Sequence, residues 1–187
     1  MSSITKFSKD YEINPSLLAA LVAQESGFNH QALSYAKALG LTQVTGATSK
    51  DILAVKKNWQ TYPNINRLNY VQLFHSIKTG KINGNNEWRL NKMKSIEGGA
   101  LYLNRLRDYW LIDHNYKILT KTFKNIPFTD VILASYNSGA YRVKQNIREH
   151  NNNWLWSKEL GEARKYVMNI KSYCGQFKQT KNKLAFK

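Results

Sequence analysis

The stretch that decides the fold runs from Ala20 to Gln43 and reads ALVAQESGFNHQALSYAKALGLTQ. Its apolar first part ends on a single carboxylate, Glu25. Leu17, Leu21 and Glu25 recur at every fourth position, so on a helix the carboxylate lies on or beside the apolar face. We therefore predict a helix that holds Glu25 partly buried.

The start of this helix is marked by Asn14, a good N-cap, and by Pro15, which suits the first helical position. The predicted helix runs from Pro15 to about Ser26. Burial and the negative end of the helix both disfavour an ionised carboxylate, so we expect a raised pKa for Glu25. A carboxyl group that keeps its proton near neutral pH can act as a general acid. The alternative is a last-turn glutamate turned to solvent.

Four sequence blocks follow one another along the chain. They are Glu25-Ser26 with Phe28, Ser34 and Gly40-Leu41-Thr42-Gln43; SIEGGALYL at 95–103; ASYNSG at 134–139; and EARKYV at 162–167. Together they resemble the soluble lytic transglycosylases, bacterial peptidoglycan-cleaving enzymes with a goose-lysozyme-like domain. That family has Glu-Ser and Gly-Leu-Met-Gln, then Asn-Ile-x-x-Gly-x-x-Tyr-Leu, Ala-Tyr-Asn-Ala-Gly and Glu-Thr-x-x-Tyr-Val. The resemblance covers most of residues 14 to 170.

The resemblance implies an all-α, lysozyme-like single domain, and 187 residues are enough to bury one sizeable core. We place this catalytic domain at residues 1–176 and a basic, solvated and mobile tail at 177–187. Between about 50 and 94 the resemblance lapses, which indicates an insertion. Its aromatic residues suit either a packed helical pair or contacts with the C–H faces of sugars; they are Trp59, Tyr62, Tyr70, Phe74 and Trp88.

The resemblance also implies the reaction. The β-1,4 bond between N-acetylmuramic acid and N-acetylglucosamine is cleaved without water, and a 1,6-anhydro sugar forms. Glu25 would be the general acid and base. Ser34, Gln43 and Tyr136 would position the sugar or its acetamido group, Asn137 would face the cleft beside Tyr136, and Glu162 would order the groove.

The residues that follow Glu25 fit such a reaction. Most glycoside hydrolases pair two carboxylates across the bond. An intramolecular hydroxyl has a high effective concentration and needs no activated water, so one carboxylate is enough. The loop from Gly27 to Gly46 contains no acidic residue and is rich in small and polar residues, as binding loops often are. Ordinary loop capping is the alternative role for Ser34 and Gln43.

The chain departs from the family pattern at five positions. Thr42 replaces a methionine that packs on substrate, Lys37 replaces a usual glycine, Gly46 a usual proline, Ser95 an asparagine and Ala163 a threonine. None of these changes removes the acid, so they bear on fine specificity.

The formal net charge is +16, from 28 Lys and Arg against 12 Asp and Glu. Such a charge predicts attraction to an anionic polymer or surface. Peptidoglycan is anionic, and so is nucleic acid, but the chain has no recognisable nucleic-acid-binding signature and its lysines are scattered. We therefore expect glycan strands as the partner.

Cysteine and histidine usage argues against metal or disulfide chemistry. Cys174 is the single cysteine, for which we predict a core position, and the four histidines lack paired spacing. We expect no metal and no cofactor.

Residues 1–10 are polar and lack the apolar core of a secretion signal, and no stretch is long enough to span a membrane. We expect a bacterial periplasmic or envelope protein, or a phage-encoded one delivered to the wall, with an association with envelope, secretion or phage machinery.

Three further helices are predicted. The first buries Ile96, Leu103, Leu106 and Trp110, with Asn104, Arg105 and Asp108 opposite and with Gly98-Gly99 admitting another backbone. The second is capped by Thr129 and ends near Asn137, before Val143 and Ile147 resume on another helix. The last begins near Ser157, buries Leu160, Ala163, Val167 and Ile170, and carries Glu162 and Tyr166 on an adjacent stripe.

Two other functions fit the same residues. One is a true lysozyme, which admits water and needs a second carboxylate, for which Glu162 is the candidate. The other is a non-catalytic wall-binding or assembly protein that retains the shape.

Overall fold

A computed structural model describes residues 2–184. Within that range the secondary structure is helical, with two isolated β-bridges and no strand, which confirms the all-α prediction. The α-helices are α1 (Ser3–Asp10), α2 (Pro15–Ser26), α3 (Gly46–Val55), α4 (Tyr70–Lys78), α5 (Lys92–Leu111), α6 (Asp113–Thr122), α7 (Phe128–Ser138), α8 (Ala140–His150) and α9 (Gly161–Leu184). Short 3-10 turns lie at Ile65–Arg67, Trp88–Leu90, Asn151–Trp156 and Lys158–Leu160.

The chain forms two compact units, one up to Leu101 and one from Tyr102 onward. The predicted boundaries, a domain at 1–176 with an insertion at about 50–94, stay a prediction.

Helix α2 has the predicted bounds. The Asn14 side chain accepts a hydrogen bond from the backbone N–H of Ser16, and Gly27 ends the helix in the left-handed conformation. Leu18, Ala20, Leu21 and Val22 are fully buried. The preceding helix α1, which the polar residues 1–10 did not predict, packs against α2.

The segment between 50 and 94 is built around its own apolar cluster. Leu39, from the loop after α2, completes this cluster. Its other buried members are Ile65, Leu73, Ile77, Ile82 and Leu90. The segment therefore packs directly on the loop that follows Glu25.

Two side chains, those of Trp88 and Thr42, explain why two glycines stand together in α5. Trp88 is buried, and its indole N–H donates to the Ser49 hydroxyl at 3.1 Å. A Cβ at Gly98 would lie 2.4 Å from the Trp88 ring, and one at Gly99 would lie 2.5 Å from the Thr42 side chain. The prediction that another backbone approaches these glycines is thus wrong, because side chains fill the space.

A buried ion pair stands at the end of the same segment. The side chains of Glu87 and Arg89 are 0% and 2% exposed, and Arg89 Nε lies 2.7 Å from Glu87 Oε1. Glu87 Oε2 also accepts from the backbone N–H of Tyr62 at 3.2 Å, and Arg89 Nη1 donates to the Val44 carbonyl at 3.4 Å. A buried pair of this kind needs both partners, since either charge alone would be left uncompensated.

A second polar cluster joins α1, α3 and α5. Lys56 forms an ion pair with Glu97, which also accepts a hydrogen bond from the Tyr11 hydroxyl at 3.2 Å. The hydrogen bond to Glu97 raises the pKa of Lys56. Burial, followed by the Glu97 charge, raises the pKa of Tyr11.

In the second unit, α7 packs on α8 and α9, and α6 packs on α8. Trp110 is fully buried and donates to the Ser135 hydroxyl at 2.9 Å. The predicted apolar faces of these helices are confirmed: the buried residues include Leu103, Leu106, Val143, Ile147, Leu160, Ala163, Val167 and Ile170. On the opposite face of α5, Arg105 and Asp108 are exposed, whereas Asn104 is half-buried.

Two predicted helix starts are wrong. Thr129 lies inside α7, because the Pro127 carbonyl already accepts the first helical hydrogen bond from Val131. The last helix begins at Gly161, since Ser157 precedes the 3-10 turn Lys158–Leu160.

Helix α9 continues past Gln176, the predicted start of the tail, to Leu184; positions 185–187 lie outside the described residues. Cys174 is half-buried on this helix and is not a core residue, because the fully buried face of α9 ends at Ile170. Among residues 2–184, no helix combines the length and the apolar character needed to cross a bilayer.

Candidate active site

Glu25 lies in the last turn of α2, two residues before the left-handed Gly27. It is half-buried, as predicted, at the end of a helix whose other faces are largely covered. A carboxylate on a buried helix keeps a fixed position, which proton transfer requires.

The end of α2 is tied to the following loop by Ser26. Its Oγ lies 3.0 Å from the Val22 carbonyl oxygen and 2.9 Å from the Leu41 carbonyl oxygen. The hydroxyl therefore bridges the last turn of the helix and the Gly-Leu-Thr-Gln block. This bridge fixes Glu25 relative to the loop.

The loop itself, which spans 27–45, carries unusual backbone conformations. Phe28, Lys37 and Gln43 have φ values of +64°, +60° and +47°, although none of them is glycine. Such conformations persist where the surrounding structure holds them, and they concentrate at functional sites. This loop is therefore a candidate for binding.

Ser34 closes a tight turn in this loop. Its hydroxyl oxygen accepts from the backbone N–H of Ala38 at 3.0 Å, and the backbone N–H of Ser34 donates to the Ala38 carbonyl at 3.1 Å. The hydroxyl proton remains available as a donor. A sugar contact by Ser34 stays a prediction, and loop capping is an observed role.

Gln43 clasps the two sides of the loop. Its Nε2 donates to the carbonyl oxygens of Ala32, at 3.2 Å, and Gly40, at 2.9 Å. Because the amide nitrogen faces two carbonyls, the amide oxygen is left to accept from another donor. Gln43 thus stabilises the loop, and its contact with an acetamido group stays a prediction.

Tyr136 and Asn137 lie in the last turn of α7, before Gly139, as predicted. Both are half-buried. The Tyr136 ring meets the Tyr102 ring edge-on, with 5.1 Å between centroids, and the Asn137 amide oxygen accepts from the Ser138 hydroxyl at 2.9 Å.

Glu162 lies in the first turn of α9 and is exposed, while Tyr166, one turn later, is buried. A carboxylate in the first turn of a helix is stabilised by the helix dipole. The two residues lie four positions apart on α9, as predicted, but Tyr166 faces the core and does not lie beside the buried face.

The site residues divide between the two units. Glu25, Ser34 and Gln43 share one unit, where α2 and its loop bring them together. Tyr136, Asn137 and Glu162 belong to the other, on α7 and α9.

Residues 2–156 match the family described as the transglycosylase SLT domain. The chain belongs to this family.

Curated relatives in this family are membrane-bound lytic murein transglycosylases C. The protein from Actinobacillus pleuropneumoniae is 30% identical over 140 residues, which are 75% of this chain and 30% of that protein. The protein from Histophilus somni is 30% identical over 152 residues, or 78% of this chain and 33% of that protein. The chain spans about a third of the length of the curated relatives that it matches.

A solved structure of an inactive glutamate-to-glutamine mutant of the lytic transglycosylase Slt from Pseudomonas aeruginosa matches with a TM-score of 0.62. It is 20% identical and covers 96% of this chain and 24% of that chain. The match confirms the lysozyme-like fold.

Two departures from the SLT family pattern, Thr42 and Ser95, contact each other. Thr42 is fully buried, and its hydroxyl donates to the Ser95 carbonyl at 2.8 Å, with the Ser95 hydroxyl at 3.5 Å. Thr42 therefore packs against Gly99 of α5, and Ser95, which is smaller than the asparagine of the family pattern, lies beside it.

Two other positions that depart from the family pattern, Lys37 and Gly46, contact the segment between 50 and 94. The Lys37 ammonium donates to the carbonyls of Asn66, at 3.2 Å, and Leu68, at 3.1 Å. A Cβ at Gly46 would lie 2.7 Å from the Asn66 side-chain oxygen. The loop after α2 and the segment between 50 and 94 are therefore in close contact at these two positions.

Sequence reasoning missed Tyr35, which is 87% exposed on the same loop. An aromatic residue between Ser34 and Ala36, in an otherwise small and polar stretch, was the available signal. Across the described side chains, no group of three or more His, Cys, Asp or Glu residues could hold a metal ion.

Proposed function

We propose that this chain is a lytic transglycosylase domain that cleaves the β-1,4 bond between N-acetylmuramic acid and N-acetylglucosamine in peptidoglycan. The observation that carries the proposal is the position of Glu25, half-buried at the end of a rigid helix in an SLT domain. The names of the relatives support the same reaction class.

In the proposed reaction, Glu25 first donates its proton to the glycosidic oxygen, and the bond between this oxygen and the anomeric carbon of the muramic sugar breaks. The carboxylate of Glu25 then takes the proton of the C6 hydroxyl of the same sugar. The C6 oxygen bonds to the anomeric carbon, and a 1,6-anhydro end forms. Glu25 is protonated again at the end, and no water is consumed.

The rigid loop after α2 would position the sugar. Ser34 offers a hydroxyl proton and Gln43 an amide oxygen, both held by hydrogen bonds within the loop. We assign Tyr136 and Asn137 to sugar or acetamido contacts, and Glu162 to ordering the groove. Held groups of this kind lower the barrier by fixing the reacting atoms in position.

The charge of the chain bears on where it acts. A chain of net charge +16 is attracted to the anionic wall. We propose the bacterial envelope as its place of action, reached through the periplasm or by phage delivery, with envelope, secretion or phage machinery as candidate partners.

The test is the Glu25→Gln variant, which keeps the shape and removes the transferable proton. Because general acid–base catalysis contributes about 100-fold or more, release of soluble fragments from purified peptidoglycan should fall at least about 100-fold. The melting temperature should stay unchanged or rise, since functional carboxylates often cost stability. The matched control is Glu12→Gln, an exposed glutamate in the same unit, which should retain full activity.

The products decide between the enzyme classes. An anhydro end is one water lighter than a hydrolysed end and resists reduction by borohydride, so mass spectrometry separates them. Mainly reducible ends would indicate a lysozyme, with Glu162 the first residue to test as the base. Full activity of Glu25→Gln would refute the role of Glu25, and no cleavage by the wild-type protein would leave a wall-binding protein.

A further inference from the structure

Three aromatic rings form a row between the loop after α2 and helix α4. The Tyr35 ring stacks on the Tyr70 ring, with 4.6 Å between centroids and 21° between planes. The Tyr70 ring in turn lies 6.3 Å from the Phe74 ring, at 18°. We call Tyr35, Tyr70 and Phe74 the aromatic platform.

A groove of about 260 Å³ lies beside the platform, and we call it the loop groove. Its lining combines two of the rings with amide and ammonium groups, those of Asn29, Gln31 and Lys78. The Lys78 ammonium stands 5.7 Å from the centre of the Phe74 ring.

Packing explains the other aromatic residues of this segment but not the platform. Trp88 is buried and Trp59 lies against it, with ring centroids 4.9 Å apart. Tyr35 and Phe74, in contrast, are 87% and 46% exposed. An exposed ring adds little to stability, and clustered exposed apolar surface marks binding sites.

We propose that the aromatic platform and the loop groove form a further glycan-binding subsite, which holds a peptidoglycan strand away from the bond that Glu25 cleaves. This inference rests on the proposed function for the identity of its ligand. The negative faces of aromatic rings attract the weakly positive C–H groups on the face of a pyranose ring.

The rest of the groove fits the same ligand. The side chains of Asn29 and Gln31 can hydrogen-bond hydroxyl and acetamido groups. Lys78 matches the carboxylates of the peptide stems carried by muramic acid. Tyr35, one ring of the platform, belongs to the loop that Ser26 ties to the helix of Glu25, so a strand that stacks on it is held by the loop that is fixed to the acid.

Binding to purified sacculi tests the subsite. Every variant is made in the Glu25→Gln protein, so that the polymer is not consumed. Binding is measured by pelleting in about 1 M salt, where screening within about 3 Å suppresses the contribution of the net charge. Tyr35→Ala should raise Kd about fivefold, and Tyr35→Ala with Phe74→Ala more than about tenfold.

Two controls distinguish the loss of the Tyr35 ring from general damage to the fold. Tyr35→Phe keeps the stacking surface and should bind within about twofold of the parent. Tyr141→Ala removes a 70% exposed tyrosine from α8, in the other unit, and should leave Kd unchanged. The single variants of Tyr35 and Tyr141 should melt at the parent's temperature, since these side chains are 87% and 70% exposed. The double variant, which also truncates the half-buried Phe74, should remain folded at the assay temperature.

The same Kd for Tyr35→Ala and Tyr141→Ala would overturn the subsite, whether both variants bind like the parent or both bind more weakly. A platform that buries itself between two copies of the chain would give a dimer in sedimentation that Tyr35→Ala dissociates, with unchanged sugar binding; this result also overturns it. None of these measurements requires catalysis, so the subsite can stand if the proposed reaction fails, and the reaction can stand if the subsite fails.

Discussion

Replacing Glu87 by Gln removes one charge of the buried ion pair and keeps the shape of the side chain. The Arg89 guanidinium would remain 2% exposed with its carboxylate partner gone. The loss of one partner from a buried pair costs about 3–5 kcal/mol. For a chain of this size, this cost lowers the melting temperature by about 6–20 °C.

The control is Lys117→Met, which breaks an exposed ion pair: the side chains of Lys117 and Asp113 are 65% and 80% exposed. Exposed pairs of this kind often contribute nothing measurable, so its melting temperature should not change. A second comparison removes both charges of the buried pair, as Glu87→Gln with Arg89→Met, and keeps a side-chain oxygen at position 87 to accept from the backbone N–H of Tyr62. This double variant should be more stable than Glu87→Gln alone, because no unpaired charge is left behind.

The assay is thermal unfolding followed by circular dichroism, with urea unfolding to obtain the free energy. A loss below about 1 kcal/mol for Glu87→Gln would refute the reasoning, since it is the size of an ordinary hydrogen bond. A double variant less stable than the single one would refute the argument that the cost comes from the uncompensated arginine.

Two further predictions concern the first unit. The pKa values of Tyr11 and Lys56 are raised above their ordinary values of 10.0 and 10.5. The stability that these two groups contribute is therefore complete below the ordinary pKa values and is lost as the pH rises through the raised pKa values of the folded state. Glu97→Gln should therefore reduce the fall in melting temperature above about pH 10; an unchanged fall contradicts the assignment. Gly40→Ala should abolish stable folding, because its Cβ would lie within 3 Å of backbone atoms at a φ of +77°. The control is Gly161→Ala, which has open space and should leave the melting temperature unchanged or raise it slightly. Equal effects of the two substitutions on the melting temperature would refute the packing argument.

The sequence predicted α2 well because its signals are local. The Asn14 cap, Pro15 and the left-handed Gly27 mark both ends within the chain segment itself. The apolar faces of α5, α8 and α9 were found for the same reason, since helical periodicity is a property of neighbouring residues.

The predictions that failed depend on contacts that the residue's own identity does not encode. Nothing near Gly98 and Gly99 reveals that Trp88 and Thr42 fill the space above them. Thr129 resembles a cap, but the carbonyl of Pro127 comes first in the hydrogen-bond pattern of α7. The sugar contacts of Ser34 and Gln43 stay predictions. Their loop-closing bonds could not be predicted from the sequence, because the partners are backbone carbonyl and N–H groups that nearly every residue type carries.

Tyr35 was missed because a single aromatic residue in a polar loop has no period. Its meaning depends on Tyr70, which lies 35 positions later and meets it only in the folded unit. The aromatic residues between 50 and 94 were noticed, but sequence alone could not separate Trp88, which is buried, from Phe74, which is not.

Lys37 joins the loop after α2 to the segment between 50 and 94 at a cost in backbone strain. A lysine at a φ of +60° costs about 1–2 kcal/mol relative to glycine. Its ammonium donates to the carbonyls of Asn66 and Leu68, which belong to that segment. Replacing Lys37 by glycine would relieve the strain and remove both hydrogen bonds, so the loop would relax only at the expense of its contact with the segment.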